Sequence, residues 1–255
     1  MRRIAALVLL FLVTISGARA TSPAPPVAFV DVTVLPMDRD VALAHQTVLV
    51  TGGRVHAIGP AKNVKIPVGA MRIDGRGMFL MPGLVDSHVH IESPEELRLY
   101  LAAGVTSVFN LHGSPAHLEW AKQVEAGRLT GPAILTSGPI LGRQYTPEEA
   151  VREVDAQAAA GYDAVKIYNQ VGAGEYGPLV AEAKAKGLLV VGHIPPKAGF
   201  DAVVSAGQSV VHAEELIYTA LNTSSDDSPA PPIDRSRIPD VVQAIADAGV
   251  FVTPT

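Results

Sequence analysis

The chain has 255 residues, of which 48% are hydrophobic and 18% charged, and its formal net charge at pH 7 is −5. This composition is typical of a globular protein with an apolar core and excludes extended disorder. The mildly acidic balance, without a basic cluster, argues against nucleic acid or an anionic membrane as a partner. Because the chain has no cysteine, a metal site would need His, carboxylate or Lys-derived oxygen donors.

Residues 1–20 have the pattern of a secretory signal peptide. Two arginines open the segment, the apolar run Ile4–Ile15 follows, and small residues around Arg19 form a cleavage site. A membrane anchor is the alternative, but about twelve apolar residues fall short of the ~20 that span a bilayer. We therefore expect cleavage after Ala20, export to the periplasm or the medium, and no membrane partner for the mature chain.

A short Pro-rich linker, residues 21–26, precedes a predicted small β domain over residues 27–80. Val27–Pro36 is apolar and β-branched, and Gln46–Val50 and Arg54–Ile58 flank Thr51-Gly52-Gly53, which is typical of a tight hairpin. Met71–Met81 predicts two more short strands around a Gly-Arg-Gly turn. No segment has helical spacing, and a β-sandwich is expected.

From residue 81 onwards, short apolar strands alternate with helical segments. The predicted strands are Leu84–His90, Thr106–Asn110, Ala133–Ser137, Ala164–Tyr168, Leu188–His193, Ser209–His212 and Val250–Thr253. The predicted helices include Glu95–Ala103, Pro147–Ala160, Pro178–Lys186 and Pro239–Ala248. This alternation implies an α/β fold with a parallel sheet. The absence of a Gly-x-Gly-x-x-Gly turn favours a (β/α)8 TIM-type barrel, here over residues 81–255 and truncated after about strand 7.

One polar, Pro-rich segment, Asn222–Arg237, interrupts this rhythm after the sixth barrel strand. The loops that follow barrel strands line the active site. The segment could therefore be a mobile lid, or equally an ordinary surface loop.

Two histidines stand at the end of the first predicted barrel strand. His88 and His90 alternate with Val89, so both side chains point to the same face, about 7 Å apart along the strand. Such a pair can bind one metal ion, or the two histidines can simply be packed polar residues at a strand end. Its position on the face where barrel enzymes perform chemistry favours the metal.

Three later strands end in residues of similar chemistry. Alternation points Lys166 inward together with Ala164 and Tyr168, although a surface lysine is the alternative. An inward lysine is costly unless it is paired or chemically altered. His193 and His212 each end an apolar strand, and each alone is more typical of a hydrogen-bonded structural histidine. Together with the first pair, these residues predict convergence above the barrel.

The segment Pro82–His90 (PGLVDSHVH) resembles the signature of the amidohydrolase superfamily. It follows a small β domain and Asp74-Gly75-Arg76-Gly77, as in many members. The order His-x-His, Lys, His, His is similar to that of the binuclear subgroup. Three short segments resemble those found in the branch of imidazolonepropionase-like enzymes and exported prolidase-like dipeptidases. They are Val165–Tyr168, Gly192–Ile194 and His212–Glu215. The resemblance covers about residues 27–255.

This resemblance implies two divalent metal ions, with zinc favoured and manganese, cobalt and iron left open. His88 and His90 would bind the first ion, and His193 and His212 the second. Lys166 would carry a CO2-derived carbamate that bridges both, which requires a neutral amine.

Two further residues are candidates for substrate binding. The Tyr168 hydroxyl could donate to the developing oxyanion, or the ring could simply line the barrel mouth. His112 could touch the substrate or be a polar loop residue. No role is assigned to His45, His56 or His117.

The family also places an Asp at the end of strand 8, where it binds metal and moves the proton. No such strand is found in this sequence, so the catalytic acid–base is unassigned, and Asp86, Asp163 and Glu214 are not presumed to replace it. Open strand edges and uncovered apolar faces favour aggregation. We therefore expect the chain alone to be poorly soluble or inactive unless a partner completes it.

The function implied by the resemblance is metal-dependent hydrolysis of an amide or peptide-like C–N bond, with a small molecule or dipeptide as substrate. One alternative is lactone or ester hydrolysis at the same site. Another is a truncated product that binds metal without turnover. A homo-oligomer is possible on this sequence.

Overall fold

The computed structural model describes residues 24–222 and 232–255. The predicted signal peptide, the start of the linker (21–23) and most of the predicted loop (223–231) lie outside the described residues. The chain divides into two compact units between Pro82 and Gly83. Within the described ranges, no helix is both long enough and apolar enough to cross a bilayer.

The first unit is a five-stranded sheet with an antiparallel core. Its strands are β1 (Val27–Val34), β2 (Leu43–Thr51), β3 (Arg54–Pro60), β4 (Met71–Asp74) and β5 (Phe79–Leu80). They lie in the order β3-β2-β1-β4, and both β4 and β5 pair parallel with β1. The predicted hairpin is present, with Gly52 and Gly53 at φ 58° and 73°, as a tight hairpin turn requires. The described strands form a single sheet, and the sandwich stays a prediction.

The second unit contains the predicted parallel strands. These are β6 (Leu84–Val89), β7 (Val105–Asn110), β8 (Ala133–Thr136), β9 (Ala164–Ile167), β10 (Leu189–Gly192), β11 (Ser209–Val211) and β12 (Val252–Thr253). One parallel sheet runs β6-β7-β8 and a second runs β9-β10-β11-β12, and parallel bridges at Ser137–Ala164 and Leu141–Ile167 link them. The α/β class and the parallel strands are confirmed. Closure into a barrel stays a prediction.

Helices follow the strands of this unit. They are α1 (Leu97–Ala102), α2 (Pro115–Glu125), α3 (Pro147–Ala160), α4 (Ala173–Ala185), α5 (Phe200–Ser205), α6 (Glu214–Leu216) and α7 (Ile238–Asp247). Helix α3 has its predicted bounds, because Thr146 and Glu149 form a capping box and Gly161 ends the helix at φ 91°. Helix α4 begins earlier than predicted, at Ala173, where the Glu175 carboxylate accepts the N–H of Gly172 at 2.6 Å.

The two faces of β9 show how the sheet is covered. Val165 and Ile167 are buried in the main hydrophobic cluster, which also contains Val154 of α3 and Leu179 of α4. Ala164 instead packs with apolar residues of the neighbouring strands. Since side chains alternate along a strand, Lys166 shares the face of Ala164, as predicted. The candidate site lies at the carboxyl ends of these strands, and Lys166 lines it from this face.

Candidate active site

An open cleft of about 730 Å³ lies at the carboxyl ends of β6 and β9–β11. Four of the predicted site residues that line it are metal-ligand candidates: His90, Lys166, His193 and His212. Tyr168 lines it as well. The remaining lining residues are Ile140, Gly142, Arg143, Tyr145, Glu153 and Gln170. Ligand candidates that are distant in sequence therefore share one cavity.

The four histidines form a continuous chain of ring contacts. The centroid of His88 lies 5.2 Å from that of His90 and 4.7 Å from that of His212, and His212 lies 4.9 Å from His193. In this conformation the rings contact one another. Among residues 24–222 and 232–255, no group of three His, Asp or Glu side chains is arranged to hold one ion. The structure thus brings the predicted ligands together, and their role as ligands stays a prediction.

Lys166 is the most unusual side chain of the cleft. It is 1% exposed, and its Nζ has no hydrogen-bond partner among the described residues. Burial lowers its pKa to about 8, against the opposing effect of the Glu215 carboxylate. A buried amine without a partner is expensive unless another group satisfies it. The orphaned amine beside the imidazoles fits a metal-bound carbamate.

His88 in β6 and His90 just after it have the protonation state that metal binding requires. Burial, followed by the positive charge of Lys166, lowers the pKa of His88 to about 4 and also lowers that of His90. Both rings are therefore neutral at pH 7, and only a neutral imidazole offers a lone pair to a metal. The chemistry of this donor set fits divalent metal ions.

The position of His193 depends on a close approach between two strands. The N–H of His193 donates to the carbonyl of Ile167 at 3.0 Å. The preceding Gly192 has φ 151°, and a Cβ there would lie 2.1 Å from the same carbonyl oxygen. Only glycine permits this approach. The requirement for glycine immediately before His193 is therefore steric.

Glu215 was not predicted as a site residue, yet it contacts His193 directly. Its Oε1 lies 2.8 Å from His193 Nδ1, off the axis of the ring N–H. Its Oε2 accepts the N–H of Ile194 at 3.1 Å. The side chain is buried. The sequence offered only two adjacent glutamates shortly after His212, which does not indicate a contact with His193.

Thr255 is a second residue that the sequence did not indicate. Its hydroxyl lies 3.2 Å from His88 Nδ1 and 2.9 Å from His212 Nδ1. It therefore connects a histidine of β6 with the histidine that follows β11. His212 itself has φ 71°, which is uncommon for a residue with a side chain.

Part of the cleft lining comes from the loop after β8 and from α3. The guanidinium of Arg143 stacks on the Tyr145 ring with Cζ 4.1 Å from the centroid, and its Nη2 lies 3.3 Å from Glu153. These residues were not predicted either, because an Arg-x-Tyr segment in a loop carries no specific signal.

The two predicted substrate residues differ in their positions. Tyr168 lines the cleft, with its ring 4.2 Å from that of His193. His112 is exposed, and its ring lies 6.1 Å from that of His90. His117, to which no role was assigned, is buried and bonds Ser114 and the Ile91 carbonyl, which is a structural role.

The acidic residues considered as replacements for the missing Asp have other contacts. Asp86 accepts the N–H of His88 at 3.2 Å, and Asp163 accepts the N–H of Thr136 at 2.8 Å. Glu214 Oε1 lies 4.0 Å from His212 Nδ1. The acid–base residue of the site therefore stays unassigned.

Known proteins resemble this chain in both sequence and fold. No family model matches the sequence. It is 35% identical over 140 residues to an adenine deaminase of Deinococcus radiodurans, which covers 50% of this chain and 24% of the relative. It is 31% identical over 134 residues to urease subunit alpha 2 of Streptomyces coelicolor, which covers 48% and 24%. The chain thus matches about a quarter of the length of these relatives.

The fold resembles that of a Xaa-Pro dipeptidase solved with methionine in its active site. The TM-score is 0.71 at 15% identity, and the match covers 90% of this chain and 66% of the dipeptidase. At this level of identity the likeness concerns the fold alone.

Proposed function

We propose that the chain is a metal-dependent hydrolase of the amidohydrolase superfamily that cleaves an amide or peptide-like C–N bond, a proposal supported by its similarity to an adenine deaminase and a urease subunit. The observation that carries the proposal is the buried, unpartnered amine of Lys166 in a cleft lined by His90, His193 and His212. Packing alone gives no reason to bury such an amine.

The residues of the cleft have distinct roles in this proposal. His88 and His90 would hold one divalent ion, and His193 and His212 a second, with zinc favoured. Lys166, as its carbamate, would supply anionic oxygen donors to both. Such ions, when bound, lower the pKa of water and polarise a carbonyl group. Tyr168 and His112 would contact the substrate.

The proposed substrate is a small amide or a dipeptide. A cleft of about 730 Å³ has the size of typical small-molecule sites, and its rim carries both a cation, Arg143, and an anion, Glu153. Arg143 Nη2 and Glu153 Oε1 lie 3.3 Å apart, and a dipeptide, which carries both a carboxylate and an ammonium group, would exchange partners with this ion pair on binding. Export of the mature chain, also proposed, would give it access to peptides outside the cytoplasm.

Metal content and turnover of the purified protein test this proposal. Because the chain alone is expected to be inactive, the test is made on the chain completed by a partner. There we expect roughly two equivalents of metal per chain, as in two-metal sites, and hydrolysis of dipeptides or small amides in preference to lactones and esters. Lys166→Ala should lose metal and activity, whereas the matched control Lys184→Ala changes an exposed lysine of α4 and should retain both.

The other outcomes have separate meanings. A preference for lactones or esters would support the proposed site but show that the bond cleaved is an ester bond and not a C–N bond. Full metal occupancy without turnover on either panel would indicate a metal-binding protein that is not an enzyme. Absence of bound metal after incubation with zinc and bicarbonate would refute the proposal.

A further inference from the structure

We propose that Glu215 is the positioning residue of His193, and that its carboxylate holds the imidazole as the Nδ1–H tautomer so that Nε2 is the nitrogen offered to the cleft. The part of this inference that concerns metal rests on the proposed function. The pairing of the ring with the carboxylate does not, because it can be measured without metal.

The contacts of the Glu215 carboxylate converge on one short segment. The residue is 6% exposed, and an ionised carboxylate at such burial needs compensating partners. Oε2 accepts the N–H of Ile194 at 3.1 Å, and Oε1 lies 2.8 Å from Nδ1 of His193. Both oxygens thus act on adjacent residues at the end of β10. Because the carboxylate contacts the back of the ring, it acts through His193.

The chemistry of the pair selects one tautomer. An ionised carboxylate can only accept hydrogen bonds, so it repels a ring nitrogen that presents a lone pair. The proton of a neutral His193 is therefore favoured on Nδ1, beside Glu215. The lone pair is then on Nε2, and second-shell carboxylates orient metal-binding imidazoles in this manner.

The backbone of His193 is held by other groups, which separates positioning from folding. Its N–H donates to the carbonyl of Ile167, and its own carbonyl accepts from Gln208 Nε2 at 2.7 Å. The hydroxyl of Tyr176 in turn donates to Gln208 Oε1 at 3.0 Å. These buried bonds do not involve Glu215. Its replacement should therefore release the ring and leave the strand end in place.

The tautomer of His193 can be read from the 15N chemical shifts of its ring in the metal-free protein, with His193→Asn assigning the signal. We expect the Nδ1–H form in the wild type. Glu215→Gln can still accept the N–H of Ile194, yet it removes the charge that selects this tautomer. We expect a shift towards the Nε2–H form, a thermal unfolding midpoint close to that of the wild type, and a zinc affinity about 10–100-fold lower by chelator competition.

The matched control is Glu214→Gln, which makes the same change one residue earlier, at an exposed side chain. It should leave the tautomer of His193 unchanged, because Glu214 Oε1 lies beside His212 Nδ1, at 4.0 Å. An Nε2–H tautomer in the wild type overturns the inference without any variant. So does an unchanged tautomer, or an unchanged zinc affinity, in folded Glu215→Gln. If the wild type binds no zinc, the proposed function fails, while the wild-type tautomer still decides whether the pairing exists.

Discussion

The Nε2 atoms of His88 and His90 lie 3.2 Å apart. At this distance the two rings can share a single hydrogen, so one nitrogen donates and the other accepts. Two protonated rings at this distance would repel each other, so the contact is stable only while at least one ring is neutral. The stability of the folded protein therefore depends on pH.

The metal-free protein should lose stability as the pH falls from about 6.5 towards 4. The pKa of His88 is lowered to about 4 in the folded protein, from an ordinary value of 6.5. Between these values the unfolded chain binds the proton and the folded chain does not, so a falling pH favours unfolding. Urea titrations at pH 7 and pH 5 measure this, and His88→Gln should show a smaller difference between them. His56→Gln, at an exposed histidine of the first unit, should behave like the wild type.

Zinc loading should depend on bicarbonate in a manner that requires Lys166. Its pKa of about 8 leaves a substantial neutral fraction above that pH, and only the neutral amine forms a carbamate with CO2. At about pH 8.5, bicarbonate should increase the zinc retained after gel filtration relative to CO2-free buffer, and the increase should be smaller at about pH 6.5. Lys166→Ala should abolish the difference. Equal loading with and without bicarbonate at both pH values would argue against the carbamate.

Gly192→Ala should destabilise the second unit by about 2–4 kcal/mol. The added Cβ would lie 2.1 Å from the Ile167 carbonyl oxygen, so the strands must separate, and the His193 N–H bond to that oxygen is then lost. The control is Gly174→Ala in α4, where nothing beyond the neighbouring residues and the backbone of the helix itself lies within 4 Å of the added Cβ. That change should be neutral or stabilise by about 0.5–1 kcal/mol. Chemical denaturation measures both, and equal effects would contradict the steric explanation.

Tyr168→Phe distinguishes the two interpretations of this residue. If its hydroxyl donates to the oxyanion, kcat should fall about 100-fold with little change in KM, which is the result we expect. If the ring only lines the cleft, Tyr168→Phe retains that ring, and both kcat and KM should stay close to the wild-type values. The exposed Tyr218 provides the matched control through Tyr218→Phe, which should leave both constants unaltered.

Much of the second unit was predictable because its signals are local. The two-residue alternation in β9 was sufficient to predict that Lys166 points inward. The capping residues of α3 were sufficient to predict where that helix begins and ends. Helix α4 was less predictable, since Pro178 resembles a helix start. The side chain of Glu175 provides a cap several residues earlier, and a proline in the second turn removes only one hydrogen bond.

The cluster of ligand candidates was predictable for a related reason. Parallel strands in chain order bring their carboxyl ends together, so residues at the carboxyl ends of β9, β10 and β11 had to be neighbours. The supporting contacts were not predictable in this way. The approach of Glu215 to His193, and of Thr255 to His88, depends on how the chain turns after a strand ends, and short sequence words do not contain that information.

The burial of Lys166 also has a consequence for chemical labelling. An amine that is partly neutral near pH 8 is a nucleophile, whereas an ordinary lysine side chain is almost fully protonated at that pH. A reagent small enough to enter the cleft, such as cyanate, should therefore modify Lys166 faster than its exposure suggests, and bulky activated esters should not reach it. Burial would thus protect Lys166 from large reagents and at the same time make it reactive towards small electrophiles.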